Sequence, residues 1–285
     1  MAGVLLACVA GLFLGALNIT TRRGLARSQD IEAGSAIITL VAFAVVAPFA
    51  LGSGDAFDAG ELWPFLLLGA FVPGVSLLMV VHAVRAAGAS RAGILFGMAP
   101  LFSALFAVIA FGEPFQLALA IGTLLVVAGG VVLALEGERP ADYRAYGAVL
   151  AVTVAAGFGL RDNIARAVGE EVSVDPLAQS TVVMLGGSLL LVANLLRRPA
   201  PFRRLRDAFL PFVWSGVVLA VGQGALFEAL DRARVTVVAP LTGTGVLWTV
   251  VLSAIFIGRS ELIGRRLIVV ALLVVAGGTL VGVTR

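Results

Sequence analysis

The chain has 285 residues, is 60% hydrophobic and only 13% charged, and carries a net charge of +3. A soluble domain is nearer about 45–50% apolar and about 25% charged, so the composition excludes an ordinary water-soluble domain and fits a lipid-embedded one. Every basic residue is arginine, His82 is the lone histidine and Cys8 the lone cysteine, which removes the P-loop, the lysine Schiff base, the HExxH zinc site, the CxxC pair and the intrachain disulfide.

A spanning helix needs about 20 mostly apolar residues. Ten runs qualify: 2–21, 31–52, 62–82, 90–111, 115–135, 145–163, 175–196, 208–230, 235–257 and 263–283. They are continuous rather than alternating at period two, which favours helices over a barrel. The first run lacks a basic start and is read as a membrane helix, not a cleavable leader. It contains Cys8, a small packed residue by this reading, then Gly11 and Gly15, then Asn18 near its end. TTRRGLARSQD leads to the second run, and GSGDAFDAGE to the third. The third starts at Trp63, where an interfacial anchor is expected. It contains Pro73 and ends at His82, with Arg85 one turn beyond.

RAAGAS precedes the fourth run, which holds Gly93, Gly97 and Pro100. GEP precedes the fifth, and EGERPADYR the sixth, which ends in Arg161, Asp162 and Asn163. GEEVSVDP opens the seventh, with Gln179 near its start. RRPAPFRRLRD leads to the eighth, with Trp214, Gln223 and Glu228, and Arg232 just after. DRARV leads to the ninth, with Pro240, Gly243, Gly245 and Trp248; GRSELIGRR leads to the tenth, with Gly278 and Gly282. Arginines gather at the ends of the runs, as membrane flanks do, so no nucleic-acid surface is expected.

The chain repeats itself at a spacing of about 145–148 residues. Phe13 and Asn18 recur as Phe158 and Asn163. Asp30, Ala33 and Ser35 recur as Asp175, Ala178 and Ser180. Pro64 and Phe65 recur as Pro211 and Phe212, Gly69 as Gly216, and VVAGG at 126–130 as VVAGG at 274–278. Each copy, 1–138 and 139–285, holds five runs. An odd number reverses the direction in which the second copy enters the membrane. The expected fold class is therefore an all-α integral membrane protein, with ten transmembrane helices as two inverted five-helix repeats. The connections after odd-numbered runs hold 15 arginines and the remainder 5. The positive-inside rule then puts the odd connections in the cytoplasm and both termini outside.

The fourth and fifth runs read GASRAGILFGMAPLFSALFAVIAFGE and IGTLLVVAGGVVLALE; the ninth and tenth read RVTVVAPLTGTGVLWTVVLSAIFIGRSE and VVALLVVAGGTLVGV. This pattern resembles the EamA family of the drug/metabolite transporter superfamily. The family pairs two five-helix units, each with a Pro-containing helix, a Gly-Glu corner and a Gly-Gly final helix. The resemblance implies a carrier of small metabolites in the cell (inner) membrane and a lean towards export. Two departures stand out: GRSE at 258–261 replaces the second Gly-Glu corner, and relatives often have cytoplasmic termini.

Polar groups inside apolar runs are costly in lipid and are the place to look for function. Asn18 and Asn163, related by the repeat, are read either as amides that meet across the axis to bind a polar substrate or as helix-to-helix bonds. Arg161 is read either as the holder of a substrate carboxylate or phosphate or as a snorkelling flank. Gln223 and mid-helix Trp248 are further substrate-binding candidates. Glu228 and His82 are candidates for proton coupling, with a Glu228–Arg232 pair as the alternative. Pro100, Pro240, Gly243 and Gly245 are candidates for a hinge or gate. GxxxG pairs at Gly11/Gly15, Gly93/Gly97 and Gly278/Gly282 let helices approach closely.

The reading is a secondary transporter working by alternating access on a small polar or amphipathic metabolite. The rival is a channel or lipid scramblase on the same scaffold; an intramembrane enzyme lacks its motifs. The partners are that substrate and the bilayer, and the scaffold admits a coupled proton or ion and a second copy of the chain. No cofactor and no catalytic or metal site is expected.

Overall fold

A computed structural model describes residues 2–52, 59–111, 117–134, 142–169, 175–232, 238, 241–258 and 264–283. The described residues hold helices and turns and no strand. The elements are α1 (Ala2–Arg27), α2 (Ile31–Gly52), α3 (Ala59–Gly69), a π-helical turn (Ala70–Val75), α4 (Ser76–Ala87), α5 (Ala89–Phe96), α6 (Ala99–Phe111), α7 (Leu117–Ala134), α8 (Ala145–Gly169), α9 (Pro176–Leu196), α10 (Pro201–Arg232), α11 (Gly245–Phe256) and α12 (Arg265–Val283). With α3–α4 and α5–α6 each taken as one broken rod, these make ten hydrophobic segments. Among the described residues, six stretches are long and apolar enough to cross a membrane: Ala2–Arg27, Ile31–Gly52, Glu61–Ala87, Ala89–Ala110, Leu177–Leu196 and Pro201–Ala229. Ala120–Gly129, Ala145–Arg161 and Leu241–Phe256 are shorter apolar helices.

Two runs expected as single helices are broken. In the third, the rod kinks at Val72, where the bond to Pro73 is cis. Val72 sits outside the helical region at φ −134°, ψ 109°, within the π-helical turn. In the fourth, the helix stops at Phe96, turns through Gly97 and Met98, and restarts at Ala99, which places Pro100 in the first turn of α6 where its missing N–H costs nothing. Elsewhere the helices outrun the apolar runs. α1 continues to Arg27, α8 to Gly169, and α10 starts at Pro201 instead of about 208. Arginine and alanine are good helix formers, so polarity ends the buried span without ending the helix.

Caps set the corners. Asp175 Oδ1 accepts from Leu177 N at 2.9 Å and Ala178 N at 3.0 Å, with Pro176 in the first helical position. Asp30 Oδ1 does the same for α2 through Ala33 N at 3.1 Å. Gly88, at φ 88°, ends α4 and lets α5 begin at once, a conformation a side chain would strain.

α1 packs on α10 and α11, and α2 on α9 and α10. α8 packs on α4 and α6, α9 also on α3, and α7 on α12. The core runs through Ile38, Phe65, Met184 and Phe212, all buried. Phe49, Ile109, Leu124, Leu210 and Trp214 point outward, exposed. In water this surface would aggregate; in lipid it is the side facing acyl chains.

Candidate functional site

Small residues bring α1 onto α11. A methyl carbon at Gly15 would stand 2.5 Å from the Gly245 carbonyl oxygen, and one at Gly11 would stand 2.7 Å from that of Leu241. Only glycine permits this approach. Just beyond, buried Asn18 donates its amide to Thr249 Oγ1 at 3.2 Å. The Thr249 hydroxyl sits 3.1 Å from the Gly15 carbonyl and 2.9 Å from that of Gly245, and donates to one of them. Gly93 of α5 backs the amide from another side, where a methyl would meet Asn18 Nδ2 at 3.0 Å.

A second crossing joins α8 to α6. A methyl at Gly159 would stand 2.5 Å from Ser103 N. Buried Asn163 donates its amide to the Ser103 carbonyl at 2.9 Å and to the Gly159 carbonyl at 2.8 Å, with Ser103 Oγ at 3.3 Å. The structure therefore brings Asn18 to Thr249 and Asn163 to Ser103, each on a glycine-lined crossing.

The other expected residues are scattered about these crossings. Gln223 is buried on α10. Glu228 pairs with Arg232 one turn later, at the end of the same helix. The Arg161 guanidinium lies 5.5 Å from the Phe158 ring, which in turn stands 6.2 Å from Phe96. Trp248 is partly exposed beside Gly15. Gly243 has open space where a side chain would go, whereas Gly245 faces the Gly11 carbonyl. Pro240 lies outside the described residues. His82 Nδ1 donates to the Leu78 carbonyl at 2.8 Å.

Two cavities flank the bundle. One, of about 380 Å³, is charged and open, and is lined by Gln29, Asp30, Ile31, Glu32, His82, Arg85 and Arg204. Here the Arg204 guanidinium, bonded to both carboxylate oxygens, holds Asp30 below the usual carboxylate range against the upward pull of burial. Arg22 does the same to Asp142 nearby. The other, of about 250 Å³, is apolar and lies between α4, α6 and α8; Phe71, Met79, Phe106 and Gly157 are among its walls. Its two hydroxyls are spent locally, Ser76 on the Pro73 carbonyl and Thr153 on that of Val149.

Sequence reasoning missed the amides' partners. Ser103 and Thr249 stand 146 residues apart, so a search for polar matches in the fourth and ninth runs would have found them. It also missed Arg91, whose side chain is fully buried in α5, because that arginine was counted with the flank.

The model of the EamA-like transporter family matches residues 1–135 and again 145–283. A protein described as an uncharacterized transporter, from Methanothermobacter thermautotrophicus (strain ATCC 29096 / DSM 1053 / JCM 10044 / NBRC 100330 / Delta H), is 29% identical over 132 residues. That match covers 46% of this chain and 38% of the relative, so it spans less than half of either. A solved structure, described only as the crystal structure of a protein, superposes with a TM-score of 0.68 over 99% of this chain and 98% of that one, at 18% identity.

Proposed function

The chain belongs to the EamA-like transporter family, and we propose that it is a secondary transporter that moves a small polar or amphipathic metabolite by alternating access, in the direction of export. In this reading residues 1–138 and 139–285 are two five-helix repeats of opposite orientation in the cell membrane. The arginine-rich connections face the cytoplasm and both termini lie outside.

The observation that carries the proposal is the pair of crossings. Asn18 of α1 meets Thr249 of α11, and Asn163 of α8 meets Ser103 of α6. In repeat terms, the first helix of each copy grips the fourth helix of the other through an amide and a hydroxyl residue. The neighbours exchange in the same way: α1 packs on α10 as α8 packs on α4, while α2–α9 and α7–α12 pair across the copies.

The two halves nevertheless differ in detail. Both crossings are close, at Gly15 and at Gly159, but beside the second a methyl at Gly157 would meet only Phe71 Cζ, at 3.7 Å. The apolar cavity fills that gap. Two similar halves held in unlike conformations are what alternating access requires: exchange of the conformations moves the opening from one face to the other. The amides then hold the crossings in one state and offer donors to substrate when a crossing parts. Gln223, Arg161 and Trp248 are the further groups assigned to substrate contact.

The test is a thermal-stabilisation screen of the purified protein against amino acids, nucleosides and small organic acids, followed by counterflow of a labelled hit in liposomes. A binder stabilises the folded state by mass action. Saturable counterflow supports the carrier; flux that rises linearly with concentration would mean a channel, and lipid flip without solute movement a scramblase.

A further inference from the structure

At the arginine-rich end of the bundle, the segment joining α1 to α2 faces the start of α10. Arg204 grips Asp30 with a two-pronged fork, Nε to Oδ2 at 2.6 Å and Nη2 to Oδ1 at 2.7 Å. The same Nη2 reaches Glu32 Oε2 at 2.9 Å, and the other oxygen of Glu32 accepts from Arg198 Nη2 at 2.7 Å. Arg204, Asp30 and Glu32 are 24–26% exposed and Arg198 is 53% exposed, so the Arg204 pairs are screened by water less than the Arg198 pair is. Nearby, Arg22 at the end of α1 donates to Asp142 Oδ2 at 2.5 Å and to the Arg85 carbonyl at 3.1 Å.

Each of these ion pairs joins residues 1–138 to residues 139–285. The pair on α10's far end, Glu228–Arg232, stays within one helix. Behind the cluster, two turns along α10, the fully buried Phe212 ring fills the space beside Gly24 and Gly34, where a methyl would stand 2.7 Å from its carbons. The repeat partner of Asp30 is Asp175, which only caps α9. The connection that would have to supply its arginine, residues 53–62, contains no basic residue at all.

We infer that Arg204, Asp30, Glu32 and Arg198 form a bolt that holds the arginine-rich face shut, has no equivalent among the described residues of the opposite face, and must be drawn before the carrier opens to that side. The inference rests on the alternating-access reading.

The experiment uses the full-length chain in lipid nanodiscs, with Cys8→Ser as parent and spin labels on Gln29→Cys and Arg206→Cys. Pulsed electron resonance then reads the separation of the two segments. The parent is expected to give one narrow distance. Asp30→Asn with Glu32→Gln should add a second, longer population, since asparagine still caps α2 but no longer holds the fork. The charge swap Asp30→Arg with Arg204→Asp should reduce that population again. An unchanged distribution in the neutral variant overturns the bolt and leaves the carrier reading standing. So does equal broadening in the neutral and swapped variants with a collapsed melting temperature, which would report damage to the fold. Absence of saturable counterflow in the parent overturns the carrier reading, and the bolt with it, whatever the distances show.

Discussion

The Asn18 amide donates to the Thr249 hydroxyl oxygen at 3.2 Å, across 231 residues of chain. Interhelical bonds of this kind contribute about 0.6–2 kcal/mol in a membrane protein. In a double-mutant cycle, Asn18→Ala and Thr249→Val should each destabilise the purified protein, and the double variant should lose less than the sum by about that amount. Strictly additive losses would show that the two groups do not interact.

The same amides should matter for transport. Asn18→Ala and Asn163→Ala are each expected to lower the counterflow rate while leaving folded protein in the membrane. Wild-type rates in both variants would remove the amides from the transport cycle.

Glycine positions should divide sharply. Gly15→Val pushes a branched side chain into the Gly245 carbonyl, 2.5 Å from where its first carbon must sit. Overpacking of this kind costs about 1–3 kcal/mol or more, so a clearly lower melting temperature is expected. Gly157→Ala meets nothing nearer than 3.7 Å and should be tolerated. Gly157→Leu extends into the apolar cavity; it should fold and yet transport more slowly if the space is needed for the exchange of states. Equal stability of the Gly15 and Gly157 variants would contradict the tight crossing.

Sidedness is open to direct measurement. In a Cys8→Ser background, a cysteine at Gly52, the last residue of α2, and one at Arg204, in the first turn of α10, should label from opposite sides of sealed vesicles. The position at 204 is expected on the cytoplasmic side. Labelling of both from one side would end the proposed orientation.

Acid should weaken the Asp30 fork in a defined window. The folded pKa of Asp30 lies below its ordinary value of 3.8, so the folded state holds the ionised form more tightly than the unfolded chain does. The stabilisation is complete above the ordinary value and is lost as pH falls from there through the folded value. Melting temperatures of wild type and Asp30→Asn should therefore differ most near neutrality and converge at the acid end. A constant gap between the two curves would show that the carboxylate charge is not what the fork uses.

Much of the architecture was legible because lipid imposes it. Runs of about 20 apolar residues read as spans, and repeated residues such as Asp30 and Asp175 sit at matching corners, at the starts of α2 and α9. Breaks were harder to foresee. Pro73 and Pro100 look alike on paper, yet one bends its rod through a π-helical turn and the other simply starts α6. The helices also outrun the hydropathy signal, because arginine is a good helix former despite its charge. The partners of Asn18 and Asn163 were hidden for another reason: Thr249 accepts through its hydroxyl and Ser103 chiefly through its backbone carbonyl, groups that every helix holds, so composition does not mark them. The charged cleft was hidden because flanking arginines were counted by side and not matched to the acids they face.

The kink at Val72 carries one more implication. Pro73 has no proline at the matching place in the second copy, where Ala220 continues an unbroken α10. Halves of identical sequence related by a two-fold rotation would leave a two-way device evenly balanced between its ends. In the alternating-access reading proposed above, one creased half and one straight half make the two ends of the cycle unequal, so the empty carrier rests in one posture that a cargo or a gradient must work against.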